Sequence, residues 1–421
     1  MRTAIVLIVL AAAAVAIGAG VAMTMNNGGE EPQPFYTDYS ADNHVNSLAW
    51  NILDHSENGN VVFSPYSLYT ALGMLLNGAK EDSATEKELA DLLGVGDADA
   101  VNAFISKVIQ DMPASDEYLS LEAANLVLLD KSVLDEPGVR FNETFAEILE
   151  KIYNGTADTA DFANDLAAAK EYIRKWVDVN TDGMIPDYKS IATDQTVTDI
   201  LNTIYLKASW EQAFSKDSTR TAVFHKEDGK DSKIDMMNRM FGHVRYYTDG
   251  KFRGVEIPYI TTGDEGLAMY IVLPADPADR SVRSEWSKQT VEYRESFMEN
   301  VRKAHYAAVN VSLPRFEAEA SFDLCEMLES LGLSICMSDS AEFTQILDNQ
   351  MLHVGTGKHQ AKIKVDEKGT EAAAVTEISM EKNASVLAPD VVRFCCDIPF
   401  IYAVSSMTDG TDVFVGYVGS L

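Results

Sequence analysis

Apolar positions along the chain follow two rhythms, helical in the first part and strand-like in most of the rest. Residues 42–54 and 67–78 place apolar side chains three and four apart, which predicts two amphipathic helices. TEKELADLLG, residues 85–94, adds end signals: a cap at Thr85, Glu88 three residues later and a closing Gly94. Runs rich in β-branched and aromatic residues then predict strands between turn signals. They are LEAANLVLLD (121–130), VTDILNTIYLKASW (197–210), GVEIPYI (254–260), GLAMYIVLP (266–274), VNVSLPRF (309–316), AKIKVD (361–366), PFIYAVSS (399–406) and DVFVGYVGSL (412–421). A helical stretch at 167–181 interrupts them. With no internal repeat and no low-complexity linker, this order predicts one interwoven α+β domain over residues 36–421.

The stretch DEKGTEAAAVTEISMEKNAS, Asp366 to Ser385, mixes a strand pattern with a loop composition. Every second residue from Thr370 is small or apolar: Thr370, Ala372, Ala374, Thr376, Ile378 and Met380. The charges fall between them, at Glu371, Glu377 and Glu381. Such a period of two suits a strand with one face packed and one in water. Gly369 supplies a backbone pivot just before it, and KNASVLAPD, residues 382–390, is a loop by composition. Pattern alone fits an edge strand followed by a turn.

Composition narrows the function before any motif does. The chain has 421 residues, 46% hydrophobic and 24% charged, enough to bury a large core. Its 34 Lys and Arg against 65 Asp and Glu give a formal charge of −31, which repels phosphate backbones and anionic membranes. Nucleic-acid binding is therefore not expected, and the acidity reads as a solvated surface. Residues 3–23 are apolar and uncharged, and NNGGEEPQP follows. We assign residues 1–24 to a signal peptide or N-terminal membrane anchor and 25–35 to a polar spacer. This predicts a protein outside the cytoplasm, secreted or held at the cell surface, with membrane contact only through that segment. No cysteine follows the run, which argues against a lipid anchor.

Catalytic signatures are missing from the chain. It has no H-E-x-x-H and no G-x-S-x-G, and GTGKHQ at Gly355 lacks the earlier glycine of a phosphate-binding loop. Seven histidines are scattered, His353 and His359 among them, without ligand spacing. No metal, cofactor or catalytic residue is predicted. Cys325, Cys336, Cys395 and Cys396 are too few for a disulfide scaffold and read as thiols. On a strand, Cys395 and Cys396 would face opposite ways, leaving at most one in the core. Asn142, Asn154, Asn310 and Asn383 each open a glycosylation sequon.

Glu367, Lys368, Gly369, Thr370, Glu371, Ala372, Ala373 and Ala374 resemble the reactive-loop hinge of the serpins in its inhibitory form. Other segments are similar to serpin segments and fall in the same order: VVFSPYSLYTALGMLLNGAK from Val61, VNTDGMIPD from Val179, LNTIYLKASWEQAF from Leu201, IDMMNRM from Ile234, LPRFEAE from Leu313, DIPFIYAV from Asp397 and DVFVGYV from Asp412. The resemblance covers nearly all of the chain after the spacer and points to a secreted member of prokaryotic or archaeal type.

It implies three β-sheets, about eight to nine helices, and an exposed reactive-centre loop that inserts into the large central sheet. It further implies a suicide-substrate inhibitor of serine, or cysteine, proteases, a monomer that holds its target as a covalent acyl complex and is not itself an enzyme. No cofactor is implied. The family's count of seventeen residues from Glu367 puts the cut bond at Asn383–Ala384, and Lys382–Asn383 is the alternative on chemical grounds. Ser64, Ser67, Asn202 and His359 match the family's shutter, a hydrogen-bonded cluster beneath the sheet, and Trp210 matches the breach at its top. A non-inhibitory serpin acting as carrier, folding helper or storage protein is the alternative reading, though it would usually carry a degraded hinge. A hydrolase with an unrecognised triad is a third.

Overall fold

Most helices start where a short polar side chain can take up a free backbone amide. The computed structural model describes residues 44–56, 59–135, 137–347, 352–354, 358–370 and 391–421. Helix α1 (His44–His55) precedes α2 (Pro65–Gly78), where Ser64 Oγ accepts from the Ser67 amide at 3.1 Å. Helix α3 (Ala84–Leu93) is capped by Ser83 and not by Thr85, which already lies inside the helix. Gly94 closes it in the left-handed conformation at φ 69°. Asp97, Asn142 and Asp165 cap α4 (Ala98–Gln110), α6 (Glu143–Ile152) and α7 (Leu166–Asn180), and Asp130 caps the single turn α5 (Lys131–Leu134). Helices α8 (Val282–Ser287), α9 (Val291–Arg302) and α10 (Leu324–Ser330) bring the described residues to nine helices longer than a turn, besides α5.

The strands are β1 (Val61–Phe63), β2 (Leu119–Asp130), β3 (Gly155–Ala160), β4 (Thr198–Ser209), β5 (Arg220–His225), β6 (Asp231–Thr248), β7 (Phe252–Pro258), β8 (Leu267–Pro274), β9 (Tyr306–Pro314), β10 (Phe316–Asp323), β11 (Lys358–Val365), β12 (Gly369–Thr370), β13 (Val392–Cys395), β14 (Phe400–Ser406) and β15 (Asp412–Val418). Six of them form one sheet in the order β10, β11, β12, β4, β2, β3. The other nine run β1, β15, β14, β8, β7, β6, β9, β13, with β5 also on β6. Strand β6 shifts register between Phe241 and Val244, pairing with β5 and β9 before and around the shift and with β7 at its end. The nine strands are thus two sheets sharing one long strand, and the fold is the expected α+β arrangement of three sheets. The apolar run at 309–316 divides at Arg315, so that β9 and β10 belong to different sheets.

Between the two assemblies lies a core of Leu206, Ala208 and Ile363 from the six-stranded sheet against Leu267, Ile271, Phe400 and Val404. Strands β8, β14 and β15 are buried along their whole length, as their nearly unbroken apolar sequences require. Helix α7 covers the other face of the six-stranded sheet, setting Ile173 and Val177 against Leu126, Leu128 and Leu201. Cys336 and Cys396 are buried, Cys325 and Cys395 half-buried, and all four are free thiols. The apolar run at 3–23 and its spacer lie outside the described residues. Among the described residues no helix is long and apolar enough to cross a membrane.

Candidate functional site

Strands β4 and β11 are neighbours in the six-stranded sheet only by way of the two-residue strand β12. Gly369 pairs with Ser209 and Thr370 with Ala208, while Val365 of β11 pairs with Thr370, all antiparallel. From Thr198 to Lys207, β4 has no ladder toward β11 among the described residues, and β11 has none toward β4. Facing strand edges of this kind are rows of amides and carbonyls that invite a further strand.

Residues 366–370 are fastened at the mouth of this gap. A Cβ on Gly369 would lie 1.9 Å from the Ala208 carbonyl oxygen, so only glycine lets the two backbones approach this closely. The Trp210 indole donates to the Asp366 carbonyl at 2.9 Å, the Trp210 amide to Lys368 at 2.8 Å, and the Phe214 amide to Glu367 at 2.8 Å. The Trp210 ring stacks on Tyr259 with centroids 4.5 Å apart. The Tyr259 hydroxyl in turn sits 2.6 Å from Thr370 Oγ1, and Thr370 is only 1% exposed. The Glu367 carboxylate accepts from the Arg315 guanidinium at 2.5 Å and the Thr219 hydroxyl at 2.7 Å. Burial acts to raise its pKa, but these bonds outweigh burial and hold it below the ordinary carboxylate value.

A second polar cluster lies deeper, where α2 meets the sheet. His359 on β11 accepts the Ser64 amide at Nε2, 3.2 Å away. Full burial pushes its pKa down to about 4, so the imidazole is neutral there at physiological pH. The Ser67 hydroxyl donates to Asn202 Oδ1 on β4. Asn202 donates to Asn125 at 2.6 Å, its partner directly across the β2–β4 ladder. Asn125 passes the chain to the Tyr153 carbonyl at 2.5 Å, and the Tyr153 hydroxyl donates to Asn102 at 2.8 Å while accepting from Asn77 at 2.9 Å. Strands β11, β4 and β2 are thereby linked to α2, α4 and the end of α6. Partnering at each step is what makes so much buried polarity tolerable.

Residues 43–420 match the family model of the serpins, described as serine protease inhibitors. The chain belongs to the serpin family. It is 30% identical over 368 residues to Serpin-Z1A of Triticum aestivum, covering 85% of this chain and 89% of that one. Among solved structures it is similar to Serpin48, described as a highly specific serpin in the insect Tenebrio molitor: 25% identical, TM-score 0.76, covering 90% of this chain and 97% of that one. A thyroxine-binding globulin in complex with thyroxine, 22% identical with TM-score 0.74 over 90% of this chain and 98% of its own, shares the serpin fold.

Of the residues predicted from sequence, Ser64, Ser67, Asn202 and His359 come together around the head of α2, and Trp210 stands at the upper end of β4. Glu367, Lys368, Gly369 and Thr370 line the mouth of the gap. Glu371, Ala372, Ala373 and Ala374, with the bond candidates Lys382, Asn383 and Ala384, lie outside the described residues. Sequence reasoning missed Asn125, Tyr153, Tyr259, Thr219 and Arg315. Asn125 and Asn202 carried a signal, being polar residues within otherwise apolar strand runs. Arg315 carried none, since its partner Glu367 is 52 positions away. Among the described residues no group of His, Cys, Asp and Glu could hold a metal ion.

Proposed function

We propose that this serpin is a suicide-substrate inhibitor of serine proteases, extending to cysteine proteases, working as a secreted or surface-held monomer. The observation that carries the reading is β12: the pivot Gly369 and the first residue of the alternating segment, Thr370, are already seated between β4 and β11, at the head of two strand edges unpaired toward each other among the described residues.

The protease nucleophile attacks the carbonyl of Asn383, or of Lys382, forming an ester or thioester and releasing the new amine of the C-terminal fragment. The freed segment continues downward from Thr370, burying Ala372, Ala374, Thr376, Ile378 and Met380 on one face. Strand addition to an open sheet, of which serpin loop insertion is a known case, drags the acylated protease along and distorts its active site. Inhibition requires insertion to outrun hydrolysis. Small residues at 372 and 374 favour that outcome over a carrier or storage role, for which the likeness to thyroxine-binding globulin offers fold alone.

The test is to mix the purified protein with trypsin-, chymotrypsin-, elastase- and subtilisin-like proteases and an Asn-directed cysteine protease, followed by denaturing gels and mass spectrometry. A denaturant-resistant complex with release of a peptide beginning at Ala384 or Asn383 is expected. Clean cleavage by every protease, with no complex, would sink the reading. Ala374→Arg should convert inhibitor to substrate, because insertion would then have to bury a guanidinium, whereas Thr370 is already seated. Covalent trapping retained by that variant would refute the role given to the hinge.

A further inference from the structure

Three of the four sequons, those at Asn142, Asn154 and Asn310, lie within the described residues, and the fold treats them differently. Asn142 caps α6: its Oδ1 accepts the amides of Thr144 and Phe145 at 2.9 and 3.2 Å, and its Nδ2 donates to Gln345 at 3.2 Å. Asn310 lies within β9, in register with Met240 of β6 on one side and Arg393 of β13 on the other. The hydroxyl of its sequon serine, Ser312, donates to Asn238 at 2.7 Å. Both asparagines are half-buried. Asn154 is exposed, and so is its sequon threonine, Thr156. It makes the turn from α6 into β3 in the left-handed conformation, φ 48°, which asparagine tolerates better than most residues. Its Nδ2 gives one proton to the Ala123 carbonyl at 3.2 Å and carries a second.

We propose that Asn154 carries an N-linked oligosaccharide, transferred from a lipid-linked donor. In the transfer Nδ2 bonds to C1 of the first sugar, one amide proton leaves, and the lipid pyrophosphate departs from that carbon. The remaining N–H keeps the Ala123 carbonyl within reach, so the turn is not disturbed. A transferase must draw the asparagine and the hydroxyl residue into its own site, which an exposed turn permits. A cap whose amide is engaged at both ends and a strand paired on both sides resist it. Asn154 also precedes β3, which ends the six-stranded sheet with no partner on its outer side among the described residues. Such an edge invites pairing with another chain, and a bulky, solubilising glycan at its head obstructs that pairing. In cells the modification rests on the reading that places the chain outside the cytoplasm, whereas the acceptor geometry does not.

The folded full-length protein is incubated with a solubilised single-subunit oligosaccharyltransferase that accepts N-x-S/T, together with its lipid-linked oligosaccharide, and each sequon is read by peptide mass spectrometry. Synthetic peptides around Asn142, Asn154 and Asn310 report what each sequon does without the fold. All three peptides should be modified, but in the folded protein only Asn154 of these three. Thr156→Val should abolish the transfer and Thr156→Ser retain it, though neither alters the acceptor. Asn154 left bare in the folded protein, or Asn142 or Asn310 modified as fully, would overturn the proposal. The modified protein should aggregate more slowly on warming than the bare one, and equal rates would overturn the shielding of β3. A chain that stays bare in the cytoplasm of its cells, yet is modified at Asn154 once purified, would mean that the secretion reading fails while the acceptor site stands.

Discussion

Burial keeps the His359 imidazole neutral down to about pH 4, whereas an unfolded chain takes up a proton near 6.5. Between those values the unfolded state holds more protons than the folded one, so this residue makes stability rise with pH from about 4 to 6.5 and fall on acidification. The full difference corresponds to about 3 kcal/mol. Asp412 works the other way: burial first, against a bond from Ser405, pushes its carboxyl up to about 7, so its contribution is lost as pH rises from 3.8 toward 7. Wild type must therefore be compared with His359→Asn by urea denaturation at pH 7 and pH 4.5, where the variant should lose less stability on acidification by about 2–3 kcal/mol. An identical acid dependence would exclude His359 as the sensitive link. Gly369 makes a geometric demand instead. Its alanine variant sets a methyl 1.9 Å from a backbone oxygen that has nowhere to go, so β12 must part from β4 at a cost of about 1–3 kcal/mol. Hydrogen exchange at the Thr370 amide should quicken in Gly369→Ala, and unchanged protection would contradict the tight approach.

Helix α3 shows how an element borrows stability from distant chain. Its sequence holds two overlapping capping signals, Ser83 with Glu86 and Thr85 with Glu88. The first caps the helix, because the second is taken: Thr85 Oγ1 accepts the Glu342 amide at 3.0 Å, and the Glu88 carboxylate accepts the amides of Ser334, Ile335 and Cys336 at 2.6, 2.9 and 2.8 Å. Burial alone would raise the Glu88 pKa, but these amides win and hold it below 4.5. Its contribution is present above the unfolded value and is lost as pH falls through the folded one. Glu88→Gln should cost about 1–3 kcal/mol at pH 7, read from urea midpoints at constant slope; an unmoved midpoint would mean that water replaces the carboxylate. The wrong cap at Thr85 thus came from a local signal overruled by a tertiary one. Strands such as β8 and β14 were legible because burial on both faces leaves an unbroken apolar run. The 18-residue strand β6 was not, since most of it is exposed or half-exposed and its apolar residues come at most in pairs. In the candidate site, Thr370 and Gly369 announced themselves through alternation and the pivot. Arg315 and Tyr259 could not, because their meaning lies wholly in partners remote in sequence.

At the scale of the molecule, β4 and β11 are unpaired toward each other beyond β12 among the described residues, and the insertion proposed above would add contacts there. If the segment after Thr370 enters as a strand, it gains ladders on both sides and buries a face of small and apolar side chains. At about 1 kcal/mol net per hydrogen bond, some ten added residues give a gain on the order of 10 kcal/mol. The intact form is then held by a barrier, and its stability is kinetic. The formal charge of −31 bears on the measurement. Self-repulsion weakens any compact form of this chain, and added salt screens it, so intact and cut protein must be melted at one ionic strength. An ordinary nick in a folded protein adds chain entropy to the unfolded state and lowers the melting temperature. A single cut at Asn383 or Lys382 should here raise it, as calorimetry of the intact and cleaved protein side by side would register. A cleaved protein that melts at or below the intact one would mean that the open edges of β4 and β11 are not the destination of the cut loop, and insertion could not be the force behind inhibition.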